Sequence, residues 1–235
     1  MNNPTSEIKN VFGSRKPFFT FLIFLVLAVF IAAFVLLDNA YFKFADARFP
    51  HVGSSTGLAN LWGIVSRAHL LLLIVPLAFW QPRLFGFQAG KIRKHWRMLT
   101  IMLLANCGVI AAYLFLTGSS TPYSGNQWLL TEVLTVPLVE EIFWRGLVFT
   151  GLLLLFRKIY GEKTSVVLAV WLSGIAFGLL HANNLAAGVP LQFVAIQVLN
   201  ATVWGVVYGY ARAKTESIYP AILLHSAMNL VVILF

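Results

Sequence analysis

The stretch from Trp128 to Phe156 has the length and apolar character of a membrane span, yet it holds Glu140, Glu141 and, one helical turn later, Arg145. Lipid opposes that composition. Each charge near mid-bilayer costs roughly 2.5 to 3.5 kcal/mol on the translocon scale, whereas each Leu, Ile, Val or Phe returns about 0.3 to 0.6 kcal/mol. Three ionised groups nearly cancel the apolar gain of the whole segment, so they mark a place where charge is used.

The surrounding chain confirms the setting. Its 235 residues are 59% hydrophobic and 11% charged, and its mean hydropathy is +0.81, outside the range of soluble globular domains. Seven apolar segments are readable: Phe18 to Leu37, Leu58 to Trp80, Leu99 to Leu116, Trp128 to Phe156, Ser165 to His181, Leu191 to Ala211 and Ile218 to Phe235. They approach or exceed the roughly 20 residues a helix needs to cross a bilayer. No ten-residue alternation suggests a transmembrane barrel. The expected fold is therefore an all-α integral membrane protein, a polytopic bundle of about seven transmembrane helices around a polar intramembrane pocket. Residues 1–17 read as a cytoplasmic tail and 18–235 as a single transmembrane domain, with the chemistry-bearing region at 128–235. The first apolar run is longer than the ~7 to 15 residues of a signal-peptide core and reads as a retained anchor.

A net charge of +9 could indicate nucleic acid, but the basic residues punctuate the spans and form no long stripe, so no nucleic-acid partner is expected. Lys9, Arg15 and Lys16 precede the first span; Arg83, Lys91, Arg93, Lys94 and Arg97 follow the second; Arg157, Lys158 and Lys163 follow the fourth; Arg212 and Lys214 follow the sixth. The alternate connections hold only Lys43 and Arg48. This asymmetry places the N-terminus in the cytoplasm and the C-terminus outside. Lys91 to Arg97 can also meet anionic lipid head groups. Cys107 is the only cysteine, so neither an internal disulfide nor a cysteine metal cluster is available.

Three helices carry polar residues in patterns. Glu141 and Arg145, four apart, share a helix face and can form a structural ion pair, while Glu140 projects about 100° away with no partner on its own helix. Glu140 is the candidate general base. Gly174, Gly178 and His181 form one stripe on the next helix, suited to close packing against a neighbour. His225 and Asn229 form an i, i+4 pair on the last helix, downstream of Pro220. Singly, each reads as ordinary interhelical hydrogen bonding or packing. Arg67 and His69 on the second span are assigned structural roles, as are Gly205 and Gly209 on the sixth.

The three patterns in this order, Glu140-Glu141-Ile-Phe-Trp-Arg145, Phe177-Gly-Leu-Leu-His181 and His225-Ser-Ala-Met-Asn229, resemble the EExxxR, FxxxH and HxxxN motifs of the CAAX prenyl protease and bacteriocin-processing (Abi) family of glutamic intramembrane endopeptidases. The resemblance spans about Trp128 to Phe235. It implies that Glu140 and His181 polarise a water that attacks the scissile carbonyl and that His225 and Asn229 stabilise the oxyanion. Glu141 and Arg145 would support the geometry, with Glu141 also able to participate directly. Phe177 would pack against the His181 ring.

Other protease chemistries fit poorly, because the chain has no HExxH or GxSG and its two aspartates, Asp38 and Asp46, lie together near the first loop. Zinc held by Glu140, His181 and His225 is chemically reasonable, but the resemblance implies no cofactor. The substrate would be a membrane-associated peptide or protein, prenylated or bacteriocin-like. A non-catalytic scaffold or immunity protein is the second reading and a transporter the third. His181 falls about 24 Å from the cytoplasmic end of its helix, a depth easier to reconcile with a bacterial cell membrane protein that processes a membrane or secreted peptide. Oligomeric state is not encoded legibly.

Overall fold

The computed structural model describes residues 25, 29, 32–118, 125–185 and 188–234. The expected tail at 1–17, its basic residues and most of the first expected span lie outside the described residues. The chain divides into two compact units, Met1–Ala40 and Tyr41–Phe235. In the first, the described residues are helical. The second carries the helices from Thr56 to Leu234 and the site described below.

Helix α1 covers 32–46, and α2 covers Thr56–Trp80. The α2 start is capped by Ser55, whose hydroxyl accepts from the Leu58 N–H at 3.2 Å, satisfying a donor with no partner inside the helix. Pro76 cannot donate and crowds the carbonyl four residues earlier. Accordingly, Thr56–Leu72 and Ile74–Trp80 meet at a 59° bend. Helix α3 (Trp96–Thr117) stops at Gly118, which takes the left-handed φ of 61°. After the fourth apolar segment come α6 (Glu162–Leu180), a 3-10 turn at His181–Leu185, α7 (Leu191–Thr215) and α8 (Tyr219–Leu234). Among the described residues there is no strand.

The fourth segment departs from a plain α-helix. Its backbone is helical from 129 to 160 but widens into π-helix at Thr131–Thr135 and Ile142–Val148, on either side of α4 (Val136–Glu141) and before α5 (Phe149–Tyr160). Pro137 accounts for the first widening, since an α-helical turn there would force its ring against the Val133 carbonyl. Both glutamates therefore stand between two π segments.

Among the described residues, three helical stretches are long and apolar enough to cross a membrane, namely Ile92–Thr117, Glu162–Leu185 and Leu191–Thr215, and the bent α2 pair would make a fourth. The expected seven are thus represented only in part among the described residues. Helix α8 has 16 residues, about 24 Å, less than a ~30 Å hydrocarbon core. The 129–160 helix carries its own buried charges.

The expected close-packing stripe is realised between α6 and α7. A Cβ on Gly174 would lie 2.6 Å from the Val206 backbone nitrogen, and one on Gly178 would collide with Thr202 Oγ1 and sit 2.8 Å from the Thr202 nitrogen. Opposite them, a Cβ on Gly205 would lie 3.0 Å from the Gly174 carbonyl oxygen. Helix α8 packs between α3 and α7 and against α4. Around it lies a core of Ile110, Leu114, Trp204, Tyr208, Ala211, Ala221, Leu224 and Met228.

The basic connection from α2 to α3 folds back onto the α7–α8 turn. The Ile218 N–H donates to the Gly86 carbonyl at 3.0 Å and Arg212 Nη2 to the Leu84 carbonyl at 3.0 Å, while Lys91 pairs with Glu216. Gly86 has φ 86°, and a Cβ there would lie 2.7 Å from Arg212 Nε. Two connections read from sequence as sharing one membrane side therefore meet at one end of the bundle.

Candidate active site

Glu141 and Arg145 are fully buried. The guanidinium donates from Nη1 to Glu141 Oε1 at 3.1 Å, and its Nε stands 3.1 Å from Oε2 as an ionic contact. Its Nη2 donates to the Gly205 carbonyl on α7 at 2.9 Å. The guanidinium carbon also lies 4.6 Å from the centroid of the Phe177 ring and 5.5 Å from that of Tyr208. The missing side chain at Gly205 lets Phe177 and the arginine approach α7. The i, i+4 pair expected from sequence is therefore the centre of a packed structure joining 129–160, α6 and α7.

The same Glu141 Oε1 lies 2.9 Å from His225 Nδ1 on α8. A carboxylate at Nδ1 fixes that nitrogen as the protonated one and leaves Nε2 to face away. The His225 ring lies nearly parallel to Tyr208, with centroids 5.7 Å apart and planes at 27°, and meets Phe177 edge-on at 5.8 Å. Tyr208 is tied in turn, because its hydroxyl accepts from Asn106 Nδ2 at 3.1 Å and donates to Met228 Sδ at 3.7 Å. Asn106 also donates to the Leu224 carbonyl at 2.8 Å, fixing α8 one residue before His225.

Glu140 has a different environment. Its Oε1 lies 3.3 Å from Arg67 Nε on α2, with side-chain exposures of 13% and 17%, against 0% for both Glu141 and Arg145. The carboxylate with no partner on its own helix thus has one 73 residues away. The approach depends on Gly63, one turn before Arg67, where a Cβ would lie 2.5 Å from Thr131 Cγ2. Thr135 Oγ1 donates to Asn60 Oδ1 at 2.7 Å along the same contact. Both histidines, His225 and His181, act electrostatically on Glu140.

His181 sits where α6 tightens into its 3-10 turn. Its Nδ1 is 3.0 Å from the Phe177 carbonyl, which can only accept, so Nδ1 carries the proton and Nε2 presents a lone pair. Phe177 meets the ring edge-on at 5.1 Å, the packing expected for it. Asn229 donates from Nδ2 to the Glu132 carbonyl at 2.8 Å, a backbone oxygen within the first π segment.

Four contributors escaped sequence reasoning: Glu132, Tyr208, Asn106 and the partnership of Arg67 with Glu140. Glu132 acts electrostatically with Arg67, Glu140 and His225, and its signal was present as a further acid within the Trp128–Phe156 run. His69, the other polar residue noted on α2, packs its ring 4.4 Å from Tyr41. Among the described residues no group of three or more His, Cys, Asp or Glu is arranged to hold a metal ion.

Apolar helices long enough to span a bilayer, enclosing a buried centre of carboxylates, histidines and arginine, define an integral membrane protein with an internal polar site. Residues 122–231 match the family model described as Type II CAAX prenyl endopeptidase Rce1-like. Over that segment, a little under half of the chain, the protein is similar to the CAAX prenyl endopeptidases. The match encloses Glu132, Glu140, Glu141, Arg145, His181, His225 and Asn229, and leaves out Arg67 and Asn106. No curated protein and no solved structure matches the chain.

Proposed function

We propose that this protein is a glutamic intramembrane endopeptidase that hydrolyses a peptide bond of a membrane-associated substrate, prenylated or bacteriocin-like, without a metal cofactor. The observation that carries the reading is the state of the two histidines. Each has Nδ1 engaged, His181 by the Phe177 carbonyl and His225 by Glu141, so each has Nε2 left for chemistry.

In the proposed reaction, a water is held between His181 Nε2, which accepts one of its hydrogens, and the Glu140 carboxylate, which takes the proton as the oxygen attacks the scissile carbonyl carbon. The carbonyl becomes a tetrahedral oxyanion. His225 donates to it from Nε2–H in its imidazolium form, balanced by Glu141 at Nδ1, and the Asn229 amide supplies a second donor through the hydrogen not given to Glu132. Donors held this way need little reorganisation at the transition state. Collapse breaks the C–N bond, and the proton on Glu140 passes to the leaving amine. Buried Glu141 and Arg145 keep the frame rigid.

The proposal includes a seven-span bundle in a bacterial cell membrane, N-terminus cytoplasmic and C-terminus outside, with lipid as its surroundings. Its test is cleavage by purified protein in bilayers of two peptides identical except for a farnesyl group, with and without chelator. Wild-type protein is expected to cleave at least one, with chelator present or absent, and Glu140→Gln and His181→Ala are expected to abolish the activity. Undiminished cleavage in both variants would eliminate the mechanism. Cleavage of neither peptide while both are bound would favour the scaffold reading, and a chelator-sensitive rate would restore zinc.

A further inference from the structure

We propose that Arg67 is a positioning residue for the reaction: its guanidinium holds Oε1 of Glu140 and leaves Oε2 to take the proton from the attacking water. This rests on the reading of Glu140 as the base. Arg67 lies on α2, outside the matched segment 122–231.

The guanidinium is itself held. Its Nη1 donates to Ser66 Oγ at 3.2 Å, and Ser66, which is buried, donates in turn to the Gly63 carbonyl at 3.3 Å. Arg67 Cζ also lies 5.8 Å from the Trp62 ring centroid, and Trp62 meets Trp128 edge-on at 5.6 Å. A long, flexible side chain is thereby fixed by its own helix before it reaches the carboxylate, so little rotamer freedom remains to be lost.

The contact with Glu140 is of the right strength for a base. Charge-assisted N–H···O bonds favour about 2.7 to 2.9 Å, whereas Nε and Oε1 stand 3.3 Å apart and share a single contact. The carboxylate is oriented without both oxygens being consumed. Glu141 shows the contrast, with one oxygen serving Arg145 and His225 together, the other facing Arg145 Nε, and no exposure. A carboxylate with no exposure has no oxygen that a water can reach, whereas Glu140 keeps 13% of its side chain exposed.

Charge supports the same assignment. Glu141 and Arg145 offset each other, which leaves Glu140 and Glu132 facing Arg67 as the permanent cation acting on both. Without it, the Glu140 side chain would lose its anchor on α2 and be free to rotate, moving the reactive oxygen from its water. A displacement of about 1 Å at such a site can cost about 10²-fold in rate.

The test uses the full chain in bilayers and whichever farnesylated or unprenylated peptide the wild type cleaves. Arg67→Gln is expected to lower kcat about 10-fold to 100-fold while KM and the thermal midpoint stay close to wild type. Arg67→Lys is expected to recover part of the loss, because the charge returns without the planar fork. In a Glu140→Gln background, Arg67→Gln should change the residual rate no further. Should Arg67→Gln fail to fold, Ser66→Ala serves instead: it frees the guanidinium without removing it and should lower kcat several-fold at unchanged KM. Wild-type kcat in folded Arg67→Gln, or in Ser66→Ala where Arg67→Gln does not fold, would overturn the inference. Wild-type kcat in Glu140→Gln would instead overturn the functional reading beneath it.

Discussion

His225 Nδ1 meets Glu141 Oε1 at 2.9 Å, joining the last helix to the more deeply buried of two adjacent glutamates, each paired with a different arginine. Glu141 is sealed between an arginine and a histidine, while Glu140 reaches toward α2 and keeps some exposure. Adjacent positions on a helix point about 100° apart, which is how one dipeptide serves two helices. The inner acid is enclosed within the bundle, and the outer one keeps an edge toward solvent.

Stability should separate the two residues. Glu141→Ala leaves the Arg145 guanidinium buried without its carboxylate, and breaking a buried pair by removing one partner costs about 3 to 5 kcal/mol. Glu140→Gln keeps the volume and a hydrogen-bond acceptor for Arg67 at a partly exposed position, so its cost should stay near ~1 kcal/mol. Thermal unfolding of the detergent-solubilised variants measures the difference. Equal losses would mean that the two glutamates share one structural task.

The α6–α7 contact makes a second stability test. Gly178→Ala places a methyl against Thr202 Oγ1 and the Thr202 backbone, and overpacking of this kind costs about 1 to 3 kcal/mol. Thr202→Ala added to it should recover only part, because the backbone nitrogen and Cα remain 2.8 and 2.9 Å from the new carbon. Gly108→Ala on α3 is the control. A Cβ there meets nothing within 4 Å, and alanine's better helix propensity should leave stability unchanged or raised by up to ~1 kcal/mol. The unfolding midpoints of the variants should fall in that order.

What could be read from sequence follows the reach of each interaction. Lipid demands long apolar helices, so the helical membrane character was plain from composition. Glu141 with Arg145 and Gly174 with Gly178 were readable because a helix places residues four apart on one face. Gly205 was read as architecture, and it is, but its carbonyl also receives Arg145. The Arg67 partnership was not readable, since a contact across 73 residues has no periodic signature. The π segments were hidden too, because Pro137 marks a disturbance without specifying a π turn as its resolution. Span counting stopped short where α8 ends after 16 residues and where the first apolar run lies largely outside the described residues.

Asn106 should prove to be the structural support of the last helix. Its Nδ2 serves both the Tyr208 hydroxyl and the Leu224 carbonyl in a buried setting. Asn106→Leu would leave both acceptors without that donor, and unsatisfied buried groups cost about 1 to 3 kcal/mol each. Tyr208→Phe removes the hydroxyl while keeping the ring beside His225, so a loss near ~1 kcal/mol is expected. Thermal midpoints compare the two. Tyr208→Phe should also retain most of the cleavage rate, whereas Tyr208→Leu, which removes the aromatic face beside both His225 and Arg145, should not.

Asn229 offers the sharpest separation of chemistry from stability. Its amide is anchored by one hydrogen to the Glu132 carbonyl at 2.8 Å, which fixes where the second hydrogen points. If that hydrogen serves the oxyanion, Asn229→Ala should lower kcat about 10²-fold to 10³-fold, the usual cost of one such donor, and leave KM nearly unchanged because the charge it meets exists only in the transition state. The stability loss should be only about 0.5 to 1.5 kcal/mol, that of one hydrogen bond. Asn229→Asp retains the shape but replaces the amide donor with an acceptor, so it should be at least as inactive as the alanine variant. Steady-state cleavage assays on folded protein measure these effects. A rise in KM with kcat unchanged would instead place Asn229 in ground-state substrate binding and leave the oxyanion to His225 alone.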